Sequence, residues 1–520
     1  MEPSYKSKEM EQMEAYKQIP SMDVQGFTSG KVDPCGAGIF RQVVGETEKQ
    51  DYLDYLEKLE NDGFERTSGV AFVSGKYPYT NATYKKGNLL VCVTYSEYWH
   101  RTYIVSQPDL FKKDWTAKDV FEQVPQCDSK DAKHYGAGNY VIEKSGTKSE
   151  YLDYLKTVEE AGFTKYADNG NGLNKTVFHA VYEKNTLVLT ITYIETIEKI
   201  YVSATYDLPL SKHLLFDETA TNNLPKDAKT ELHMMEMWFF GNSFLIRLKN
   251  GNFIICDGGT DHEIRYLIDY MESLCPNGTK PVVEAWLISH AHRDHTGVLR
   301  MIVEEDNSLA ERILVNGIYF NEPNDDVLNL DSATRGDLAM IHEVTGYLKT
   351  EDGNKTQIYR PQTGQRYYFC DLTVDILLGQ EQLPTEQYSG DLNDSSTWYL
   401  FNIEGQKVLI GGDGEIGGMR KIMEIYDRDF MKLDMFSVLH HTLNTWDEFT
   451  DYCTVQTVLG TKRGEPEHNK AANEHLKEVT NEWLRTDDGT KVLTFPYQAG
   501  TAKCQTPFEW IYHKDRERYW

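Results

Sequence analysis

Long apolar runs are missing from this chain: none approaches the roughly 20 residues that a bilayer-spanning helix requires, so no membrane segment is expected. The first twenty residues, Met1 to Pro20, are polar and charged and lack the apolar stretch of a secretion signal. As given, the sequence is expected to be soluble and cytoplasmic, with secretion open if a leader precedes it. Cysteine is sparse and scattered, at positions 35, 92, 127, 256, 275, 370, 453 and 504. No pair has C-x-x-C spacing, which excludes an obvious zinc knuckle or dithiol motif. Free thiols in a reducing compartment, or a secreted protein that does without bridges, both fit. Positive charge is also short: 54 Lys and Arg stand against 81 Asp and Glu, a formal net charge of −27. A protein that grips nucleic acid draws its affinity from a cationic surface. The pairs Lys112-Lys113 and Lys462-Arg463 are too short to form one, so nucleic acid is not an expected partner. A small substrate, or one attached to a larger polymer, suits this charge better.

Histidine is scarce too, with 15 residues in 520, yet three fall within six positions. The stretch is Ser289-His290-Ala291-His292-Arg293-Asp294-His295-Thr296-Gly297, directly after the largely apolar Val282 to Ile288. That pattern reads as a buried strand, then a loop, then a helix from Val298 onward. Alternate strand residues share a face, so His290 and His292 are expected to point at one metal ion. Asp294 and His295 sit where the chain turns and are expected near a second.

The His-x-His-x-Asp-His pattern resembles that of the metallo-β-lactamase superfamily of hydrolases, and other blocks extend the likeness over about residues 230 to 500. Phe239 to Ile246 and Phe253 to Gly259 resemble the family's opening strand pair. Lys407-Val408-Leu409-Ile410-Gly411-Gly412-Asp413 resembles the strand that delivers its metal-bridging aspartate, and Asp434 to His441 the strand carrying its last histidine. Asn393-Asp394-Ser395-Ser396 ahead of the aspartate strand, and the closing His440-His441, are similar to the hydrolase domain of competence DNA-uptake proteins and to phosphorylcholine esterases. The tail from Asn469 to Phe495 fits as well. The resemblance implies an αββα sandwich and a metal-dependent hydrolase.

Resemblance and geometry together assign the site. His290 and His292 hold the first metal, Asp294 and His295 help to hold the second, and Asp413 bridges them. Gly411 and Gly412 let the backbone before Asp413 come close to its neighbours. Either His441 or His440 closes the second site, because adjacent strand residues face opposite ways. The first is preferred, leaving its neighbour to contact substrate or a carboxylate. Many superfamily members add a histidine between the first motif and the bridging aspartate. Here only His342 lies in that interval, in a helical-looking run, and it is not expected to be a ligand. Cys370, on a strand-like run, is expected to pack. Histidine and carboxylate donors without thiolates suit zinc first, as two divalent ions, with manganese or iron as alternatives. Such a pair supplies hydroxide near neutral pH, and Asp294 is the catalytic candidate for taking up the proton. Arg293 and the Asn393-to-Ser396 loop are candidates for the surround.

The first 215 residues contain a repeat of about one hundred residues. Gly36 to Phe40 matches Gly136 to Tyr140, Tyr52 to Leu56 matches Tyr151 to Leu155, and Gly63-Phe64 matches Gly162-Phe163. Gly87 to Tyr95 echoes Asn185 to Tyr193. Each copy reads as a strand, a helix closed by glycine and three alternating strands. The expected fold class is therefore α/β: a polar segment 1–30, two small α+β modules at 31–115 and 130–210, a linker at 211–228 and a hydrolase domain at 229–520. The tyrosines of the first copy are expected to fill its core rather than a binding face. The expected activity is hydrolysis of a phosphoester or phosphodiester. The alternatives are amide, lactam, lactone or thioester hydrolysis, or a binding protein whose hydrolase domain has decayed. Oligomeric state is not legible.

Overall fold

Tyrosine and leucine at helical spacing build one element twice. In the computed structural model, helix α1 (Lys49–Asn61) buries Tyr52, Tyr55, Leu56 and Leu59. Helix α2 (Lys148–Glu160) buries Tyr151, Tyr154, Leu155 and Val158. Each begins in a capping box, Glu48 with Asp51 and Thr147 with Glu150, which satisfies the exposed amides of the first turn. Each is followed by a left-handed glycine, Gly63 (φ +84°) and Gly162 (φ +87°), where a side chain would be strained. The structure describes residues 18–22, 32–34, 40–72, 79–87, 89–97, 100–108, 116–135, 138–237, 241–260, 263–304, 308–323, 338, 341, 344–346, 348–349, 355–383, 392–442, 446–461, 470–486 and 489–505.

Two units result, one of Met1–Asp114, Pro323–His342 and Pro384–Leu392, the other of Trp115–Glu322, Glu343–Leu383 and Asn393–Trp520. In the first, six antiparallel strands run in the order β1-β2-β6-β5-β4-β3. They are β1 (Val32–Pro34), β2 (Phe40–Gly45), β3 (Glu65–Phe72), β4 (Tyr79–Lys86), β5 (Leu89–Ser96) and β6 (Arg101–Pro108). Tyr52, Tyr55, Tyr84 and Tyr95 pack together in its core; Tyr98 and Trp99 lie outside the described residues.

The second unit starts with a sheet of the same order, β7-β8-β12-β11-β10-β9. Its strands are β7 (Lys133–His134), β8 (Tyr140–Ser145), β9 (Thr164–Asp168), β10 (Val177–Lys184), β11 (Leu187–Ile194) and β12 (Lys199–Tyr206). Side-chain contacts recur between the two sheets. Tyr84 donates to Glu60 at 2.9 Å and Tyr182 to Glu159 at 3.0 Å. Tyr55 donates to the Pro20 carbonyl and Tyr154 to the Pro125 carbonyl, both at 3.0 Å. Lys86 lies over Phe64 as Lys184 lies over Phe163.

Two larger sheets complete this unit. The nine-stranded one contains β13 (Glu231–Met234), β14 (Ser243–Arg247), β15 (Phe253–Asp257), β16 (Val282–Ile288), β17 (Leu314–Val315), β18 (Gly317–Phe320) and β19 (Gln357–Tyr359). The seven-stranded one contains β20 (Arg366–Phe369), β21 (Leu372–Leu378), β22 (Trp398–Ile403), β23 (Gln406–Ile410), β24 (Met435–Ser437), β25 (Thr457–Gly460) and β26 (Glu482–Arg485). The tail returns as β27 (Thr490–Thr494) and β28 (Lys503–Gln505) beside β13. Strand alternation puts Phe244, Ile246, Cys256 and Leu287 of one sheet against Val374, Ile376, Phe401 and Val408 of the other in one dry core. Helices α3 (Ile264–Leu274) and α4 (Arg293–Glu304) pack beside each other. Val298 of α4 closes with Trp286 of β16 around Gly258. On the outer face of the seven-stranded sheet, Trp398, Leu400, Leu409 and Phe436 meet α5 (Ile416–Ile425), α6 (Asp447–Cys453) and α7 (Lys470–Val479). The chain is thus a mixed α/β protein with several sheets. Among the described residues no helix is long and apolar enough to cross a membrane, and the seven described cysteines are free thiols.

Strand β11 is buried along its whole length. Leu189, Ile191 and Tyr193 pack toward α2. On the other face Val188 joins the core between the two large sheets, and Ile194 joins the core that holds Trp398 and Leu377. Polar contacts stitch this junction: Arg360 Nη1 and Gln380 Nε2 donate to the Tyr135 carbonyl at 2.7 and 3.1 Å, and Asn169 Nδ2 donates to the Gly364 carbonyl at 2.9 Å. The stretch 211–228 is packed as well: Ser211 bonds Tyr319 at 2.7 Å and Leu214 enters the core.

Two buried imidazoles make this unit sensitive to acid. His179 lies in the junction with Nδ1 2.9 Å from Thr192 Oγ1, and His233 has Nδ1 2.8 Å from the Tyr270 hydroxyl. Burial pushes each pKa down from 6.5 to about 3. The unfolded chain therefore binds the proton first, and stability is lost as pH falls below 6.5 toward 3, by about 1.4 kcal/mol per unit for each group. Between pH 7 and pH 5, His179→Gln is expected to lose about 2 kcal/mol less than wild type, read by denaturant unfolding at both pH values. Equal losses would rule this out.

Candidate metal centre

The chemistry-bearing residues collect at one edge of the two large sheets. β15 and β16 run parallel, as do β23 and β24, so residues just past these four strands share that edge. Asp257 ends β15, Ser289 and His290 follow β16, Asp413 follows β23, and His440 and His441 follow β24. Open α/β sheets place ligands at such carboxyl ends.

One donor atom from each of Asp294, His295, Asp413 and His441 lies within 4.8 Å of the others. His295 Nε2 stands 3.0 Å from Asp413 Oδ1, and His441 Nε2 stands 3.0 Å from Asp294 Oδ2 and 3.2 Å from Asp413 Oδ2. His290 Nε2 faces His292 Nδ1 at 2.9 Å. Donors sharing one tetrahedral zinc at ~2.0–2.1 Å sit about 3.4 Å apart, so these spacings suit a cation. His295 Nε2 and Asp413 Oδ1 are buried and make no hydrogen bond of good geometry despite their closeness. Two buried polar atoms left in this way would be satisfied by a cation between them. His295, His441 and Asp413 are buried, whereas the Asp294 side chain is 23% exposed and is the member that opens to solvent.

Carboxylates behind the cluster set the imidazoles. Asp257 Oδ2 accepts from His295 Nδ1 at 2.8 Å, which turns Nε2 toward Asp413. Asp257 is itself held by the Ser289 amide at 2.8 Å and the Ser289 hydroxyl at 3.0 Å. That hydroxyl also lies 3.0 Å from His290 Nδ1. Sequence reasoning saw Asp257 only as a turn residue. In the sequence it is one aspartate closing four apolar residues at an Asp-Gly-Gly turn, where its backbone is left-handed (φ +59°). Glu415 was missed as well: its Oε1 accepts from His440 Nδ1 at 2.9 Å and lies 3.4 Å from Asn393 Nδ2.

Three local expectations are corrected. Helix α4 begins at Arg293, not Val298, so Asp294 and His295 occupy its first turn. A carboxylate there is favoured by the free amides of the helix start. The last strand stops at Ser437, and His440 (φ +49°) and His441 (φ +52°) lie beyond it in left-handed backbone. A tight turn, not strand alternation, sends them apart: His441 reaches the cluster, while His440 Nε2 stays 3.8 Å from Asp413 Oδ2. Cys370 sits in the turn between β20 and β21 rather than on a strand and is no member of the cluster. Arg293 is exposed. His342 and the pairs Lys112-Lys113 and Lys462-Arg463 lie outside the described residues.

Burial opposes charge throughout the cluster, and mutual attraction decides where charge stays. Burial alone would discharge His295, but Asp413, Asp257 and Asp294 outweigh it and hold its pKa well above the imidazole range. Against the same burial, Asp413 and Asp294 raise His441 to about 9. Asp413 and Asp294 are in turn held low because His295 and His441 overcome burial. His290 is pushed down by burial and by its neighbours His295 and His292. The pocket is therefore built to hold positive charge, and a divalent ion entering it would displace protons from the imidazoles.

Glycine lets the Asp413 loop reach this position. A Cβ on Gly411 or Gly414 would stand 2.8 or 2.5 Å from the Trp398 indole, and one on Gly412 would stand 2.4 Å from Ser289. Gly412 is also left-handed (φ +55°). Gly405 is left-handed too (φ +81°) but faces open space. Gly412→Ala is expected to destabilise by about 1–3 kcal/mol more than Gly405→Ala, the cost of overpacking beyond that of strain, in denaturant titrations of both variants. Equal costs would mean that the loop has room to move.

The chain matches no protein-family model and no curated protein. Among solved structures it is similar to Zn2+-bound PqqB from Methylobacterium extorquens, at 12% identity and a TM-score of 0.24. That match covers 38% of this chain and 58% of the other, less than two thirds of its length. So partial a likeness adds no weight to the site, which stands on its own residues.

Proposed function

We propose that this chain is a metal-dependent hydrolase of the metallo-β-lactamase type, acting on a phosphoester or phosphodiester of a small or polymer-attached substrate. One observation carries the reading: Asp294, His295, Asp413 and His441, from three separate strand ends, bring donor atoms within 4.8 Å of one another. The paired His290 and His292 extend the donor set to six. On this reading residues 229–520 form the hydrolase domain, and 31–115 and 130–210 are copies of one module, as their shared strand order suggests.

His290 and His292 would hold one ion, and Asp294, His295 and His441 the second, with Asp413 between them. The set is nitrogen and oxygen only, which suits zinc, then manganese or iron. When bound, such ions lower the pKa of water toward neutrality and polarise a phosphoryl or acyl oxygen. The protein supplies the rest. Asp257 fixes the tautomer of His295, and Ser289 steadies Asp257 and His290. Asp294, the partly exposed member, would be the group that takes up a proton at a carboxylate oxygen. Buried walls around Asp413 and His441 exclude bulk water, which strengthens every charge interaction there. The strongly acidic composition disfavours a nucleic-acid polyanion.

Elemental analysis and turnover of bis(p-nitrophenyl) phosphate test this together. Wild type is expected to carry about two divalent ions per chain, falling in His292→Ala and Asp413→Asn, with turnover abolished in the latter. Asp257→Asn is expected to keep the fold and lose roughly 10–100-fold in metal affinity. Hydrolysis of p-nitrophenyl acetate or a lactone in place of the phosphodiester would move the reading to acyl substrates. Absence of metal after reconstitution would end it.

A further inference from the structure

A cavity of about 790 Å³ lies at the opposite ends of the strands that carry the metal cluster. It is lined by the turns after β14, β20 and β22 and by the segment that precedes β13. Its size falls within the ~300–1,000 Å³ range of small-ligand sites. Its floor is a row across three adjacent strands: Tyr368 of β20 pairs with Thr373 of β21, which pairs with Asn402 of β22. Strand alternation turns all three away from the core that takes Tyr367, Leu372 and Phe401. Phe216 stands beside the row, edge-on to Tyr368 with ring centroids 5.5 Å apart, and is 62% exposed. So exposed a phenyl ring at the mouth of a cavity is a ready apolar contact.

Most of the charges around the cavity already have partners. Arg366 is bidentate to Asp375 at 2.6 and 2.8 Å. Asp371 and Glu404 share Lys249. Glu284 accepts from Asn252 at 2.5 Å and from Asn316 at 2.9 Å, and Asp217 caps its own helical turn. Lys212 and Glu218, both exposed at the rim, are of opposite sign. With five carboxylates against Lys212 and Arg366 the lining repels an anion, and the engagement of Asp371, Glu404, Glu284 and Asp217 leaves little free charge to select a cation. What the cavity offers is two aromatic rings beside a hydroxyl and an amide, which take a ligand with one apolar face and many neutral hydroxyls. We propose that this cavity binds a neutral carbohydrate, stacked on Phe216 and Tyr368 and hydrogen-bonded by Thr373 and Asn402, at a site separate from the metal cluster.

Calorimetric titration of the full chain tests this with N-acetylchitohexaose, cellohexaose, maltohexaose and mannohexaose, and with spermine and oligogalacturonate as charged probes. At least one neutral sugar is expected to bind. Phe216→Ala and Asn402→Ala should each weaken it by about tenfold or more, equivalent to ~1.4 kcal/mol. Phe216→Trp, which keeps an aromatic face, should retain binding, and so should Asp413→Asn, which lies at the other end of the sheets. The proposal is overturned if no neutral sugar binds wild type or if only charged probes do. It is equally overturned if binding survives both alanine variants or is lost in Asp413→Asn.

Discussion

The centre of this protein rests on charge held out of water. Asp257 and Asp413 are buried and Asp294 is nearly so, and each has an imidazole within about 3 Å. A lone buried carboxylate would take up a proton rather than stay charged. Asp413 and Asp294 stay charged because His295 and His441 stand among them. Such an arrangement tolerates little displacement, since moving one partner leaves the others uncompensated. The surroundings match that demand: four strand ends on one edge, a helix whose first turn contains two of the residues, and a loop of glycines pressed against Trp398 and Ser289.

How much of this can be read from residues alone depends on distance along the chain. His290, His292, Asp294 and His295 are legible because one strand end and one helical turn hold them all, so spacing is geometry. Asp413 and His441 lie more than a hundred residues away. They become legible only through a family pattern, because nothing local says which strands are neighbours. Asp257 and Glu415 carry no pattern of their own. Their role is set by the side chains opposite them in space, and a single aspartate after an apolar strand looks like any turn. The His440-His441 pair shows the converse failure. Period-two reasoning says only that one of the two should bind, and the backbone there is left-handed, a conformation that an L-residue takes against its preference and that composition does not announce.

The two N-terminal sheets share their contacts on one side and differ on the other. On the helix-facing side the same contacts occur in both, in Tyr84 and Tyr182, Tyr55 and Tyr154, Lys86 and Lys184. That side is an internal core, and its volume constrains it. The opposite side has no such obligation. In the second sheet it carries His179, Thr192, Val188 and Ile194, which answer to the large sheets instead.

That junction changes where this polypeptide can be divided. Strand β11 has no solvent-facing side, and the Tyr135 carbonyl is the shared acceptor for Arg360 and Gln380. A recombinant fragment starting at residue 229 would therefore bare Leu377 and leave the buried guanidinium of Arg360 without its acceptor. The small sheet that contains β11 is better regarded as a wall of the larger body than as an appendage.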